Sequence, residues 1–203
     1  MELNILAFVY LFLRLAPFII ICFFSLSSLF NQDYKGIVLL IGVLLSCFLS
    51  ILVSSLMGIY IDPNKPEICS ALSIGQQELS AIPLSQTIFS YVFTYLLYFI
   101  FKYSSAYNNI TTVIFFPILI IFDIYWNITN SCNPMLNIGL SIGVGAITGY
   151  LWASIIDSTD SPNLTYLANP TNTDSEVCSK PSQQTFKCNV YKNGQLITTQ
   201  FKN

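Results

Sequence analysis

The sequence predicts an all-α membrane protein of about five transmembrane helices followed by a small C-terminal β-hairpin. Three observations carry this. Hydrophobic residues make up 54% of the 203 residues and charged residues only 9%, against roughly 25% charged in soluble domains. The few charges avoid the long apolar runs. From Asp157 onward the composition changes to Ser, Thr, Asn, Asp and Pro, and then to two short alternating runs. The division expected is a membrane domain over 1–156, a polar, flexible linker over 157–184 and a hairpin tail over 185–203.

The first apolar run, Ile5 to Phe30, is long enough to cross about 30 Å of hydrocarbon. Arg14 and Pro17 interrupt it. An arginine in lipid is costly, so Arg14 is expected to snorkel or to pair with an acid such as Asp123. A secretory signal is a poorer reading, because Met1-Glu2 supplies no basic leader. Asn31 to Lys35 is a polar turn, and Gly36 to Tyr60 is the second span. A mixed-charge loop, residues 61–82, carries Asp62, Lys65, Glu67 and Glu78.

Pro83-Leu84-Ser85-Gln86 then opens the third span, Thr87 to Phe101. Proline is tolerated in a first helical turn because its missing N–H would have no helical partner there. The Ser85 hydroxyl, the Gln86 amide and the unbonded N–H groups of that turn are expected at the membrane surface, where a helix start favours an anion. Lys102 to Asn108 is a turn. The fourth span runs from about Ile110 to Trp126, with Pro117 as a kink site. After a polar loop, Asn127 to Asn133, the fifth span runs from about Pro134 to Ile156. Its Gly139, Gly143, Gly145 and Gly149 form two GxxxG spacings, which let helices approach closely in lipid.

In the tail, Thr185 to Lys192 alternates, Asn193-Gly194 follows, and Gln195 to Phe201 completes the pattern. Asn-Gly between two such runs is a strong hairpin signal. A lone hairpin is marginal in water, so the tail is expected to dock on a partner or on the membrane domain, or to be stapled by Cys178–Cys188.

The chain has no histidine, which removes the commonest general base, metal ligand and phosphoryl acceptor together. No metal or other cofactor is expected. A net charge of −2 argues against nucleic acid as a partner. Of the six cysteines, Cys22 and Cys47 fall inside apolar runs and read as small hydrophobes. Cys69 with Cys132, in loops on one membrane side, and Cys178 with Cys188, in the tail, are the disulfide candidates in an oxidising compartment. By parity, five spans put the 61–82 and 127–133 loops on one side. The 31–35 and 102–108 turns and the tail fall on the other. Lys35, Lys102, Lys180, Lys187, Lys192 and Lys202 fall on the tail side and Lys65 on the loop side, which places the tail in the cytoplasm. The abundance of Ile, Asn, Tyr and Phe suits an AT-rich coding sequence. Large DNA viruses are one source of these, so a virion or host-derived membrane is one home.

Over residues 36–156 the pattern resembles the type 2 phosphatidic acid phosphatase (PAP2) superfamily. That signature is Lys-x6-Arg-Pro, then Pro-Ser-Gly-His opening a span, then Ser-Arg-x5-His-x3-Asp before the last span. Here Lys65-Pro66 stands where the family has Arg-Pro, and Pro83-Leu84-Ser85-Gln86 stands for Pro-Ser-Gly-His. Trp126-Asn127, Asn133 and Asn137 follow the spacing of the third motif. The family lysine falls on Gly58, its two histidines on Gln86 and Asn133, its motif-three arginine on Asn127 and its acid on Asn137. The resemblance implies a helical bundle with a phosphate site, worked in the family by a histidine nucleophile. Amides neither attack phosphorus usefully nor carry protons near neutral pH.

The reading is therefore an inactive member of that architecture, with a structural role or a lipid-headgroup site built from Lys65, Ser85, Gln86 and Asn133. Membrane lipids are the expected partners, with a protein contact through the tail. The alternatives are an active lipid or polyprenyl-phosphate phosphatase with another residue set, and a small transporter or channel subunit relying on Arg14 and Asp123.

Overall fold

A computed structural model describes residues 5–59, 69, 73–74, 77–78, 80–104, 107–159, 164–165, 186–192 and 195–202. Of these, the side chains of 5–10, 13, 14, 73–74, 77–78 and the C-terminal strands lie outside the description. Arg14 is among them, so its pairing with Asp123 lies outside the described residues.

Among those residues five helices follow one another. They are α1 (Ile5–Asn31), α2 (Lys35–Leu56), α3 (Leu84–Lys102), α4 (Ile110–Thr129) and α5 (Met135–Ser158). The last four are long and apolar enough to cross a membrane, as a multi-pass protein requires. The fully described part of α1, Leu15–Asn31, is apolar but shorter. Pro17 and Pro117 lie inside continuous helices. The α2–α3 loop holds a two-residue ladder, β1 (Ser73–Ile74) with β2 (Gln77–Glu78).

The chain divides into two compact units, Met1–Ala168 and Asn169–Asn203. In the second, backbone strands β3 (Phe186–Lys192) and β4 (Gln195–Lys202) run antiparallel. In the first, Leu164 rests against the helical core and Thr165 is buried. That part of the polar segment sits on the bundle.

Helix ends share one device. Gln32, Gly58, Ser104 and Ser131, just beyond α1, α2, α3 and α4, have positive φ, the left-handed turn that closes a helix and satisfies its last carbonyls. The next N–H reaches back five residues in Asp33 to Ser28, Ile59 to Ser54 and Cys132 to Asn127. The starts of α3 and α5 share another device, an extended proline, Pro83 or Pro134, at the N-cap.

Helix α3 is the centre. In its apolar stretch 61% of the positions are buried, against 17% in α4. Its Phe89, Tyr91, Val92, Tyr95 and Phe99 form the middle of the core with Leu39, Val43, Phe116, Leu119 and Ala153. Outside it, Leu44, Phe48, Ile121, Ile147 and Leu151 are exposed, as side chains facing lipid would be.

Helices α3 and α5 run parallel and pack on each other most extensively. Their contact is set by two glycines. A methyl group at Gly145 would lie 2.5 Å from the Thr87 carbonyl oxygen, and one at Gly149 2.5 Å from that of Tyr91. No side chain fits there, so backbone meets backbone. The other GxxxG pair behaves differently: added methyls at Gly139 and Gly143 would meet nothing within 4 Å. Hydroxyls tie α2 to this pair. Ser50 bonds Thr87 and Ser46 bonds Thr148. Tyr91 donates to the Leu39 carbonyl, and the Trp152 indole to that of Val38. At the far end of α3, Lys102 and the Tyr98 hydroxyl both donate to Asp157 at the end of α5.

Alanine at Gly145 or Gly149 is expected to lower stability by about 1–3 kcal/mol, the usual range for overpacking. At Gly139 or Gly143 it is expected to be neutral or slightly stabilising, since alanine is the better helix former. Reversible unfolding of the four variants in mixed micelles distinguishes the two pairs.

Candidate functional site

One cluster of polar groups lies at the end where α3 and α5 begin and α4 finishes. Local structure brings them there. Asp123 and Asn127 are one helical turn apart, so they share a face of α4. Ser85 is the second residue of α3, held in its first turn by Pro83. The left-handed turn at Ser131 folds the chain back over the end of α4, so that Asn133 returns to the level of Asn127.

The resulting chain of contacts is continuous. The Ser85 hydroxyl lies 3.3 and 3.2 Å from the two Asp123 carboxylate oxygens. The Asn127 amide donates to the Asp123 carbonyl at 2.8 Å and lies 3.3 Å from one carboxylate oxygen. Asn133 donates to the Asn127 side-chain oxygen at 2.8 Å. Asn127 is buried, whereas Asp123 and Asn133 are half-buried. A carboxylate beside the start of α3 is favourable, because the unbonded N–H groups there carry partial positive charge.

A disulfide between Cys69 and Cys132, residues 63 apart in sequence, pins the α2–α3 loop beside this cluster. Cys69 also lies against the Asn130 carbonyl. Asn137 donates to the Ala81 carbonyl at 3.3 Å, tying the start of α5 to the approach to α3.

Three of the sequence-derived positions, Ser85, Asn127 and Asn133, therefore meet in one network. Asn137 lies at the same end but is engaged with backbone. Gln86 is different: it is fully buried, and neither atom of its amide has a hydrogen-bond partner. A glutamine at the third helical position commonly bonds back to the N-cap N–H. Here that position is Pro83, which has none. Ser90, one turn further along α3, is buried and unpartnered as well. Lys65 and Cys178 lie outside the described residues, as does the side chain of Cys188, so the tail pairing and the expected lysine contact do too. Cys22 and Cys47 are free thiols within the apolar helices.

The central member, Asp123, is absent from the set that sequence reasoning assembled. Its signal was available: a lone carboxylate in an apolar span, four residues before an asparagine. The sequence also matches it with Arg14, whose side chain lies outside the described residues.

Chemically the cluster offers one carboxylate, one hydroxyl and two amides. None of these is an activated nucleophile or a proton carrier of the histidine type. It is suited to hydrogen bonding. Among the described residues, no group of His, Cys, Asp and Glu is placed to hold a metal ion. Protein-family models, curated proteins and solved structures were all compared with the chain, and none matches it.

Asn127→Ala removes a donor to Asp123 and the acceptor of Asn133 together, and is expected to destabilise by about 2–3 kcal/mol, with Asn133→Ala nearer 1 kcal/mol. Reducing the disulfide, or Cys69→Ser, is expected to cost about 2–4 kcal/mol. Thermal unfolding in detergent, with and without reductant, reads both effects.

Proposed function

We propose that this chain is a non-catalytic, multi-pass membrane protein with a PAP2-like bundle, one end of which binds the headgroup of a membrane lipid. In this reading α1 is a fifth span and the tail hairpin is the contact for a protein partner. The observation that carries the reading is the Ser85–Asp123–Asn127–Asn133 network. It is polar, partly open and lies towards one end of an apolar bundle.

The chemistry of the network narrows the ligand. Hydroxyl and amide donors suit the phosphate or ester oxygens of a lipid headgroup. The absence of histidine from the whole sequence supports binding without turnover: a phosphohistidine step has no residue to run on. The hydroxyl pairs deeper in the bundle, Ser46 with Thr148 and Ser50 with Thr87, favour helix adhesion over a transport path. Such bonds contribute about 0.6 kcal/mol each in membrane bundles, and none includes an ionisable group.

The purified protein, returned to nanodiscs containing phosphatidylethanolamine, is expected to retain that lipid through detergent extraction and native mass spectrometry. Ser85→Ala combined with Asn133→Ala is expected to reduce retention about tenfold, the equivalent of roughly 1.4 kcal/mol. Phosphatidic acid should yield no inorganic phosphate above a protein-free blank. Equal retention by the variant would remove the binding site, and phosphate release would remove the non-catalytic assignment.

A further inference from the structure

We propose that the end of the bundle bearing the Cys69–Cys132 bond faces an oxidising, non-cytoplasmic compartment, and that its lipid is drawn from the leaflet on that side. The sidedness stands on its own. The leaflet assignment rests on the headgroup reading above.

The contacts sort the helix ends into two sets. Cys69 with Cys132, Ser85 with Asp123, and Asn137 with Ala81 join the α2–α3 loop, the start of α3, the end of α4 and the start of α5. Tyr98 and Lys102 with Asp157, and Trp152 with Val38, join the end of α3, the end of α5 and the start of α2. With α2 to α5 crossing a bilayer, these sets occupy opposite faces, whether or not α1 also crosses.

Two independent rules then assign the faces. A disulfide persists where the surroundings oxidise thiols, outside the cytosol, which places Cys69 and Cys132 on the non-cytoplasmic face. Lysines in short connections between spans are retained on the cytoplasmic face. Lys35 opens α2 and Lys102 closes α3, both at the end opposite the disulfide. The redox rule and the charge rule concern different residues and agree.

Two consequences follow. The cytoplasmic leaflet is the one enriched in anionic lipid, so a site on the other face, with a carboxylate at its centre, meets chiefly zwitterionic and neutral headgroups. The chain leaves α5 on the cytoplasmic face, where reducing surroundings disfavour disulfides.

The full chain, carrying a C-terminal epitope, tests this in sealed microsomes. A glycan acceptor is placed beside the disulfide by Ser70→Asn with Leu72→Thr. The expected result is one added glycan on that variant, complete loss of the epitope to external protease, and labelling of Cys178 and Cys188 in the wild-type chain by a membrane-impermeant maleimide. An unglycosylated loop with a protected epitope, or a mixture of both orientations, would overturn the proposal. So would two unlabelled tail thiols in the unsubstituted protein, which guards against a variant that misfolds. None of these assays reads lipid binding. A failure of headgroup retention therefore leaves the sidedness result intact, and an inverted topology leaves retention intact.

Discussion

The backbone-to-backbone contact of α3 with α5 at Gly145 and Gly149 is the constraint on which the rest of the bundle depends. In lipid, apolar side chains gain nothing by leaving the solvent, so helices adhere through close packing and hydrogen bonds. Removing the side chain at two successive turns of α5 lets its backbone reach the carbonyls of Thr87 and Tyr91. That brings α3, buried on nearly every face, into register with α5. The same register carries Asp157 to Tyr98 and Lys102 at one end and Asn137 to the Ala81 carbonyl at the other. Helix α2 then adheres through Ser50, Ser46, and the bonds from Tyr91 and Trp152 to its backbone.

The polar cluster is a product of that register. With the first turn of α3 fixed, Ser85 meets Asp123 of α4, and the left-handed turn at Ser131 returns Asn133 to Asn127. The disulfide adds a covalent tie from the α2–α3 loop to the same corner. Four elements thus meet at one small polar patch, whereas at the opposite end Tyr98 and Lys102 meet Asp157. The two ends differ, one bearing the disulfide and the polar patch, the other Lys35 and Lys102.

The helices were legible in the sequence because apolar length and charge avoidance are properties of each segment alone. Their ends came out within a few residues: α3 begins at Leu84, before Thr87, because the helix follows directly from Pro83. The GxxxG spacing was legible as packing, but which pair packs was not. Gly139 and Gly143 have the same pattern as Gly145 and Gly149 and differ only in which face of α5 they occupy. The site was half legible. Ser85, Asn127 and Asn133 were marked by motif spacing and do converge. Asp123 is matched in the sequence with Arg14 rather than with this network, because Ser85 reaches it from another helix, 38 residues away, and no spacing along the chain records that. Gln86 stood out for its place after Pro83 and Ser85, yet it turns into the bundle, where its amide meets no partner.

The central claim is that close packing of α3 on α5 builds a polar corner that holds a lipid headgroup. A structure determined in lipid nanodiscs tests it most directly. The account predicts the Thr87–Tyr91 backbone in contact with Gly145 and Gly149, and headgroup density within hydrogen-bonding distance of Ser85, Asp123 or Asn133. Helices separated at those glycines, or a corner holding only water while ordered lipid lies elsewhere, would contradict it.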